Sequence, residues 1–307
     1  MLTYIKKRPF IWFLIPGLIL YTVLIIYPIF SAMQLSLYKW NGIGDKVFVG
    51  LNNYVELFTD SNMMGQFMNA LGNSLKLFAL TVLIQMPLQI IFSYMIYSKM
   101  KGYGYTQAMI FAPQLITTPV IVIIFNLLLD KNIGAVNGIL EAIGLGAYAK
   151  AWLGIPEWGV IILFLMITWS GIGVSMTFLV GAMNMVGKDG LEAAYMEGAG
   201  YWTRLFRVIL PQIRVTVINI ALIGYIYCMT MFDFSYILGN GVSGGIDGSL
   251  DVMSLFFYRI AFGDVNPLGG KISENSMGMG TAVACVLFLL IFAIALIQII
   301  IMNREEK

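Results

Sequence analysis

Six stretches of this 307-residue chain carry no charged side chain: Pro9 to Tyr38, Leu77 to Ser98, Gly102 to Leu129, Trp158 to Gly187, Val215 to Phe232 and Asn275 to Asn303. Each supplies the roughly 17 to 25 apolar residues that a helix needs to cross a bilayer. A soluble core has no use for runs of this length. Only 11% of the residues are charged, against roughly 25% in an ordinary soluble domain. In lipid every backbone amide must be satisfied within the span, so the runs predict helices. The expected fold class is all-α integral membrane: one transmembrane domain over residues 1–307, with six helices at about 10–33, 70–98, 105–128, 158–184, 213–236 and 276–302 and a loop at 185–211. Asn132 to Ala149 is also apolar but holds Glu141 and four glycines. A carboxylate at the bilayer centre costs about 2.5 to 3.5 kcal/mol, so this stretch is expected to form a helix outside the membrane.

Orientation follows from Lys and Arg, which are enriched on cytoplasmic flanks. With the N-terminus inside, eleven basic residues fall on the cytoplasmic side, among them Lys6, Lys7, Arg8, Arg204, Arg207 and Arg214, and six fall outside. Both termini are therefore expected in the cytoplasm. The Lys6-Lys7-Arg8 cluster could open a signal peptide, but the apolar run behind it is too long and lacks a small-residue cleavage site, which favours an uncleaved first helix. Cys228 and Cys285 lie inside expected helices and imply no disulfide framework. There is no His, hence no imidazole proton relay and no His-based metal site. No phosphate-binding G-x-x-x-x-G-K-[ST] loop occurs, and helix centres hold no carboxylate of the kind that marks ion-driven transport. Asp233, near an outer helix end, is the nearest candidate. If such a chain moves a solute uphill, another protein must supply the energy; no cofactor, metal site, catalytic group or nucleic-acid partner is expected.

The loop between the fourth and fifth helices reads KDGLEAAYMEGAGYWTRLFRVILP. Asp189 followed by Glu192 fits a capping box at a helix start, and Gly198 and Gly200 supply the freedom to end that helix. Beyond them Trp202, Leu205, Phe206, Ile209 and Leu210 recur at helical spacing and predict one apolar stripe, with Pro211 expected to end the second helix. An interfacial hairpin that merely anchors a loop is the plain reading of this pattern.

Specific residues point further. E-A-A-x-x-E-G-A followed by F-x-x-I-L-P resembles the signature loop of binding-protein-dependent ABC importer permeases, matched by Glu192, Ala193, Ala194, Gly198, Ala199, Phe206, Ile209, Leu210 and Pro211, with Glu197 where Asp is usual. Phe48 to Tyr54 (F-V-G-L-N-N-Y), Trp40-Asn41-Gly42, Gly134 with Asn137, Trp152-Leu153, Trp169-Ser170-Gly171 and Phe232-Asp233 extend the likeness along the chain, closest to the maltose, lactose and glycerol-3-phosphate type and to the first of its two permease subunits. The resemblance implies the type I ABC importer permease fold in the bacterial cytoplasmic (inner) membrane. Its implied partners are a second homologous permease, two ATP-binding subunits and an extracytoplasmic solute-binding protein. It also implies that the helix bearing Glu192 inserts into a cleft on the ATPase, and that the glycine-rich segment Gly239 to Gly248 meets the solute-binding protein, although composition alone describes a flexible loop there.

A transport path needs polar or aromatic groups at mid-depth. Trp169, Ser170, Ser175 and Thr177 punctuate the fourth helix, and Asn219, Tyr225, Tyr227, Thr230 and Ser235 the fifth; any one of them could equally be a packing residue with a satisfied polar tip. The resemblance, carried through the gapless stretch around the loop, implies a sugar site at Ser170, Gly171, Val174, Gly224, Tyr227, Cys228 and Met231, with Trp169 beside it. Val174, Cys228 and Met231 are less polar than the maltose pattern, which puts maltose itself in doubt. A saccharide is expected as cargo, with a glycerol phosphate or polyol as the alternative. An ion-driven transporter or a poreless membrane sensor is the competing reading. Val265 to Asn275 reads as an insertion of unassigned role.

Overall fold

The computed structural model describes residues 10–263 and 276–305; the Lys6-Lys7-Arg8 cluster and the insertion Val265 to Asn275 lie outside them. In chain order the elements are α1 (residues 10–35), the strands β1 (Tyr38–Lys39) and β2 (Val47–Phe48), α2 (Asn52–Thr59), α3 (Ser61–Tyr97), α4 (Tyr103–Leu115), α5 (Thr118–Leu128), α6 (Ala135–Ala142) and α7 (Gly159–Asn184). Then follow α8 (Lys188–Met196), α9 (residues 201–212), α10 (Arg214–Thr230), α11 (Asp233–Leu238), α12 (Met253–Phe262) and α13 (Met277–Glu305). Among the described residues five helices are long and apolar enough to cross a membrane, and a sixth is reached only if α4 and α5 count as one span. The chain groups into two compact units, Met1–Met64 with Phe257–Leu289, and Gly65–Phe256 with Leu290–Lys307.

In the first unit α1 buries none of its described side chains within the chain, as suits an apolar helix that spans a membrane. Its end is clasped by α2. The Asn53 amide donates to the Ser36 carbonyl at 2.7 Å and the Tyr38 carbonyl at 3.0 Å, and the hydroxyls of Ser36 and Tyr54 meet at 2.7 Å. Tyr38 pairs with Phe48 across the two short strands, their rings edge-on at 5.3 Å. Asn53 and Tyr54, part of the F-V-G-L-N-N-Y marker, are thus a structural clasp. The glycines of the segment Gly278-x-Gly280 are needed for close approach, since a Cβ on Gly280 would stand 2.5 Å from that of Ala261.

The longest element is α3, which belongs to the second unit from Gly65 onward. Its 37 residues span about 55 Å at 1.5 Å per residue, more than a hydrocarbon layer of about 30 Å, so one end projects beyond it. That end carries Asn69 and Asn73, which pin the glycine-rich segment after α11: both amides donate to the Gly248 carbonyl, at 2.8 and 3.0 Å, and Asn73 also donates to that of Asp251 at 2.9 Å. The segment is a built turn held to α3.

Two expectations about local structure are overturned. The stretch expected as one helix over 105–128 is broken at Ile116 and Thr117, whose backbones are extended, and α4 and α5 meet at 105°. Pro113 and Pro119 flank the break, each lacking an amide hydrogen and disfavouring helix before it. Pro211, in turn, does not end its helix: α9 runs on to Gln212 through a π turn at Arg204–Ile209. The same device recurs at Thr22–Ile26 before Pro28 and at Thr81–Gln85 before Pro87. A proline ring inside an α-helix collides with the carbonyl four residues back, and a widened turn relieves the clash while its amides bond five residues back. These bonds run from Tyr27 to Thr22, Met86 to Thr81 and Leu210 to Leu205.

Candidate functional site

The break between α4 and α5 opens onto a cavity of about 380 Å³ within the second unit. Non-helical backbone at membrane depth is tolerated where it lines such a space rather than lipid. From the break come Gln114, Ile116 and Thr118; α7 contributes Ser170, Gly171, Val174 and Ser175; α10 contributes Gly224, Tyr227 and Cys228. Six of the expected cargo positions are therefore brought together. Met231 is buried and lines an adjoining cavity with Tyr227 and Asp233. Trp169 lies outside this lining, its ring 5.9 Å from that of Phe125.

The polar groups of the cavity are only partly spent on the fold. Ser170 Oγ donates back to the Met166 carbonyl at 2.9 Å, and Thr81 Oγ1 lies 3.8 Å from Cys228 Sγ. A Cβ on Gly171 would meet nothing within 4 Å, so its missing side chain leaves room; one on Gly224 would press on Thr81 at 3.4 Å. Other candidates serve packing. Thr177 and Thr230 donate to carbonyls one turn back, Ser235 donates to Leu250, Asn219 bonds Gln298, and the Tyr225 ring stacks edge-on to Phe78 at 5.2 Å.

Sequence reasoning missed the α3 wall, where Thr81, Gln85 and Gln89 line the same cavity. No amide lines the cavity from α7 or α10; those that do are Gln85 and Gln89 on α3 and Gln114 at the break. The available signal was a pair of glutamines one turn apart in an otherwise apolar run, beside Pro87.

The loop at 185–211 forms the second site. The helix α8 starts from Gly187 with no side-chain cap, so the expected capping box of Asp189 and Glu192 does not form. Asp189 instead occupies the first turn, where a carboxylate complements the helix dipole. At the other end the Ala199 amide bonds the Ala194 carbonyl at 2.9 Å and the Gly198 amide that of Tyr195 at 3.0 Å, with Gly198 at φ +74. This is a Schellman closure, which requires a left-handed residue. The apolar stripe divides because the π turn changes the register: Leu205 and Ile209 are buried with Tyr94, Met183 and Ile220, while Trp202 and Phe206 are exposed and stacked on each other. Arg204 lies over the Tyr195 ring at 3.7 Å. Glu192, Ala193, Glu197 and Gly198 are exposed, Ala194 and Ala199 half-buried, and Pro211 is exposed. Met196 next to them is 89% exposed.

Apolar helices around a largely apolar cavity studded with hydroxyl and amide groups, with a short exposed helix on one connecting loop, fit a polytopic membrane permease component. Residues 89–306 match the family of binding-protein-dependent transport system inner membrane components, and the chain belongs to it. It is 27% identical to the probable ABC transporter permease protein YurN of Bacillus subtilis over 93% of both chains. It is 29% identical to the lactose transport system permease protein LacF of Rhizobium radiobacter, over 81% of this chain and 82% of that one. The multiple sugar-binding transport system permease protein MsmF of Streptococcus mutans is 26% identical, over 96% and 95%. The fold matches a chain in the crystal structure of a bacterial alginate ABC transporter in complex with alginate pentasaccharide-bound periplasmic protein, with a TM-score of 0.80, 22% identity, and coverage of 99% of this chain and 98% of that one.

Proposed function

We propose that this chain is one membrane-spanning half of an ATP-driven importer whose cargo is a saccharide handed over by an external solute-binding protein. The observation that carries the reading is the cavity at the broken span, where hydroxyl, amide and aromatic groups converge from α3, α5, α7 and α10. Sugar rings stack on aromatic faces and exchange water for such groups, and the relatives named for lactose and for multiple sugars support the cargo class. The exposed face of α8, with Glu192, Ala193 and Glu197, docks on a separate ATPase. Closure of the ATPases pulls on this helix, the buried contacts of Leu205 and Ile209 pass the movement into α3, α7 and α10, and the cavity changes the side to which it opens. This is alternating access driven by a partner. A second, homologous permease completes the path, and the excess of basic residues expected on the inner side supports a cytoplasmic position for the loop and both termini.

The test is accumulation of a labelled panel of saccharides by the native cell with and without the gene. Loss of one or more members, restored by the intact gene, supports the reading; an unchanged panel contradicts it.

A further inference from the structure

The α3 wall of the cavity carries more than shape. Gln85 and Gln89 are one helical turn apart and only 7% and 2% exposed. The Thr168 hydroxyl donates to Gln85 Oε1 at 3.3 Å. The Gln89 amide has no hydrogen-bond partner among the described residues and lines the cavity. Tyr201 Oη and Arg204 Nε are the enclosed side-chain polar atoms without a partner among the described residues; the Gln89 amide, unpartnered within the chain, is open to the cavity, where a ligand or water completes it. An amide offers two donors and one acceptor, which matches hydroxyls, themselves donors and acceptors. Among the described lining residues none is Asp, Glu, Lys or Arg, and the adjoining cavity, which shares Thr118, Tyr227 and Phe234, carries Asp233. An anionic cargo would lose its hydration without gaining a countercharge and would face a carboxylate.

We propose that Gln89, seconded by Gln85, is the specificity-determining residue of this cavity and selects uncharged, hydroxyl-rich cargo over uronates and sugar phosphates. The proposal rests on the transport reading above. Gln85 is the final residue of the π turn at Thr81–Gln85, so the distortion imposed by Pro87 sets which residues of α3 face the cavity, and Gln89 follows one turn on.

The experiment uses the native cell with the chromosomal gene altered and all partners present. Uptake of neutral disaccharides is compared with that of a galacturonate disaccharide and a sugar phosphate in wild type and in Gln89→Leu, Gln89→Asn and Gln85→Leu. The expected result is uptake of a neutral disaccharide by wild type and a rise in its half-saturation concentration of about tenfold in Gln89→Leu, the worth of one hydrogen bond. Gln89→Asn should fall between the two. The melting temperature of the purified Gln89→Leu chain should be unchanged or higher, because the amide makes no hydrogen bond within the chain and leucine is an apolar side chain of similar size. Preference of wild type for the charged probes overturns the proposal, as does neutral uptake with wild-type kinetics in both Gln85→Leu and Gln89→Leu. A lowered melting temperature in Gln89→Leu assigns Gln89 to packing and also overturns it. Wild-type cells that take up none of the saccharides contradict the transport reading itself, a separate outcome.

Discussion

At the scale of single residues the same amino acid serves the fold in one place and the cavity in another. Asn137 is 4% exposed; its amide donates to the carbonyls of Lys131 at 3.1 Å and Lys150 at 2.9 Å, and its oxygen accepts the Trp152 indole at 2.8 Å. Asn137→Ala leaves these groups unpaired and should destabilise the chain by about 1 to 3 kcal/mol, read as a lower melting temperature in detergent with cargo affinity unchanged in the surviving fraction. The glycines divide in the same manner. Gly280→Ala forces backbone apart at Ala261 and should lower the melting temperature, whereas Gly171→Ala meets nothing within 4 Å and should not. Gly171→Trp, placed at the cavity wall, should abolish uptake while the chain reaches the membrane in normal amount. Asn53, Asn137, Ser170 and Gly171 all fall in stretches that the sequence marked by resemblance, but that marking did not say that the two asparagines tie the backbone together. Gln85 and Gln89 stood out only as two amides one turn apart in an apolar run, a pattern that does not say which face of the helix meets a cavity.

Among elements, apolar runs revealed helices well and their interruptions poorly. The run from Gly102 to Leu129 is continuous in composition, yet its prolines split it at 105°, and the split supplies cavity wall. The polar start of α3, with Asn69 and Asn73, lies outside any apolar run, so periodicity gave no reason to extend the helix back to Ser61. Turn widening before Pro28, Pro87 and Pro211 follows from ring sterics, but one chain of letters does not distinguish a helix that widens from one that stops. Pro87→Ala removes the cause of the α3 widening. It should let the helix return to α geometry, rotate Thr81 and Gln85 out of the cavity, and reduce uptake more than it reduces the amount of protein in the membrane. In the loop, Glu192 is exposed, so Glu192→Lys should change stability by less than about 0.5 kcal/mol. It should nonetheless abolish accumulation of cargo, measured against the amount of chain in the membrane. Gly198→Ala, with φ at +74, strains the Schellman closure by roughly 1 to 2 kcal/mol and should impair uptake through the shape of α8.

For the whole molecule, composition and the placement of charge gave the membrane class, and the family match over residues 89–306 agrees with what the loop motif implied. The identity of the energy source is the central claim, since the chain has no phosphate-binding loop of its own and the reading assigns that role to a partner docked on α8. The most direct measurement is uptake of a labelled neutral saccharide by intact cells under two treatments: depletion of ATP with the ion gradients maintained, and collapse of the ion gradients with ATP maintained. The account predicts that uptake stops under the first and continues under the second, and that Glu192→Lys reproduces the first. Uptake that survives ATP depletion and stops when the gradients collapse would contradict it.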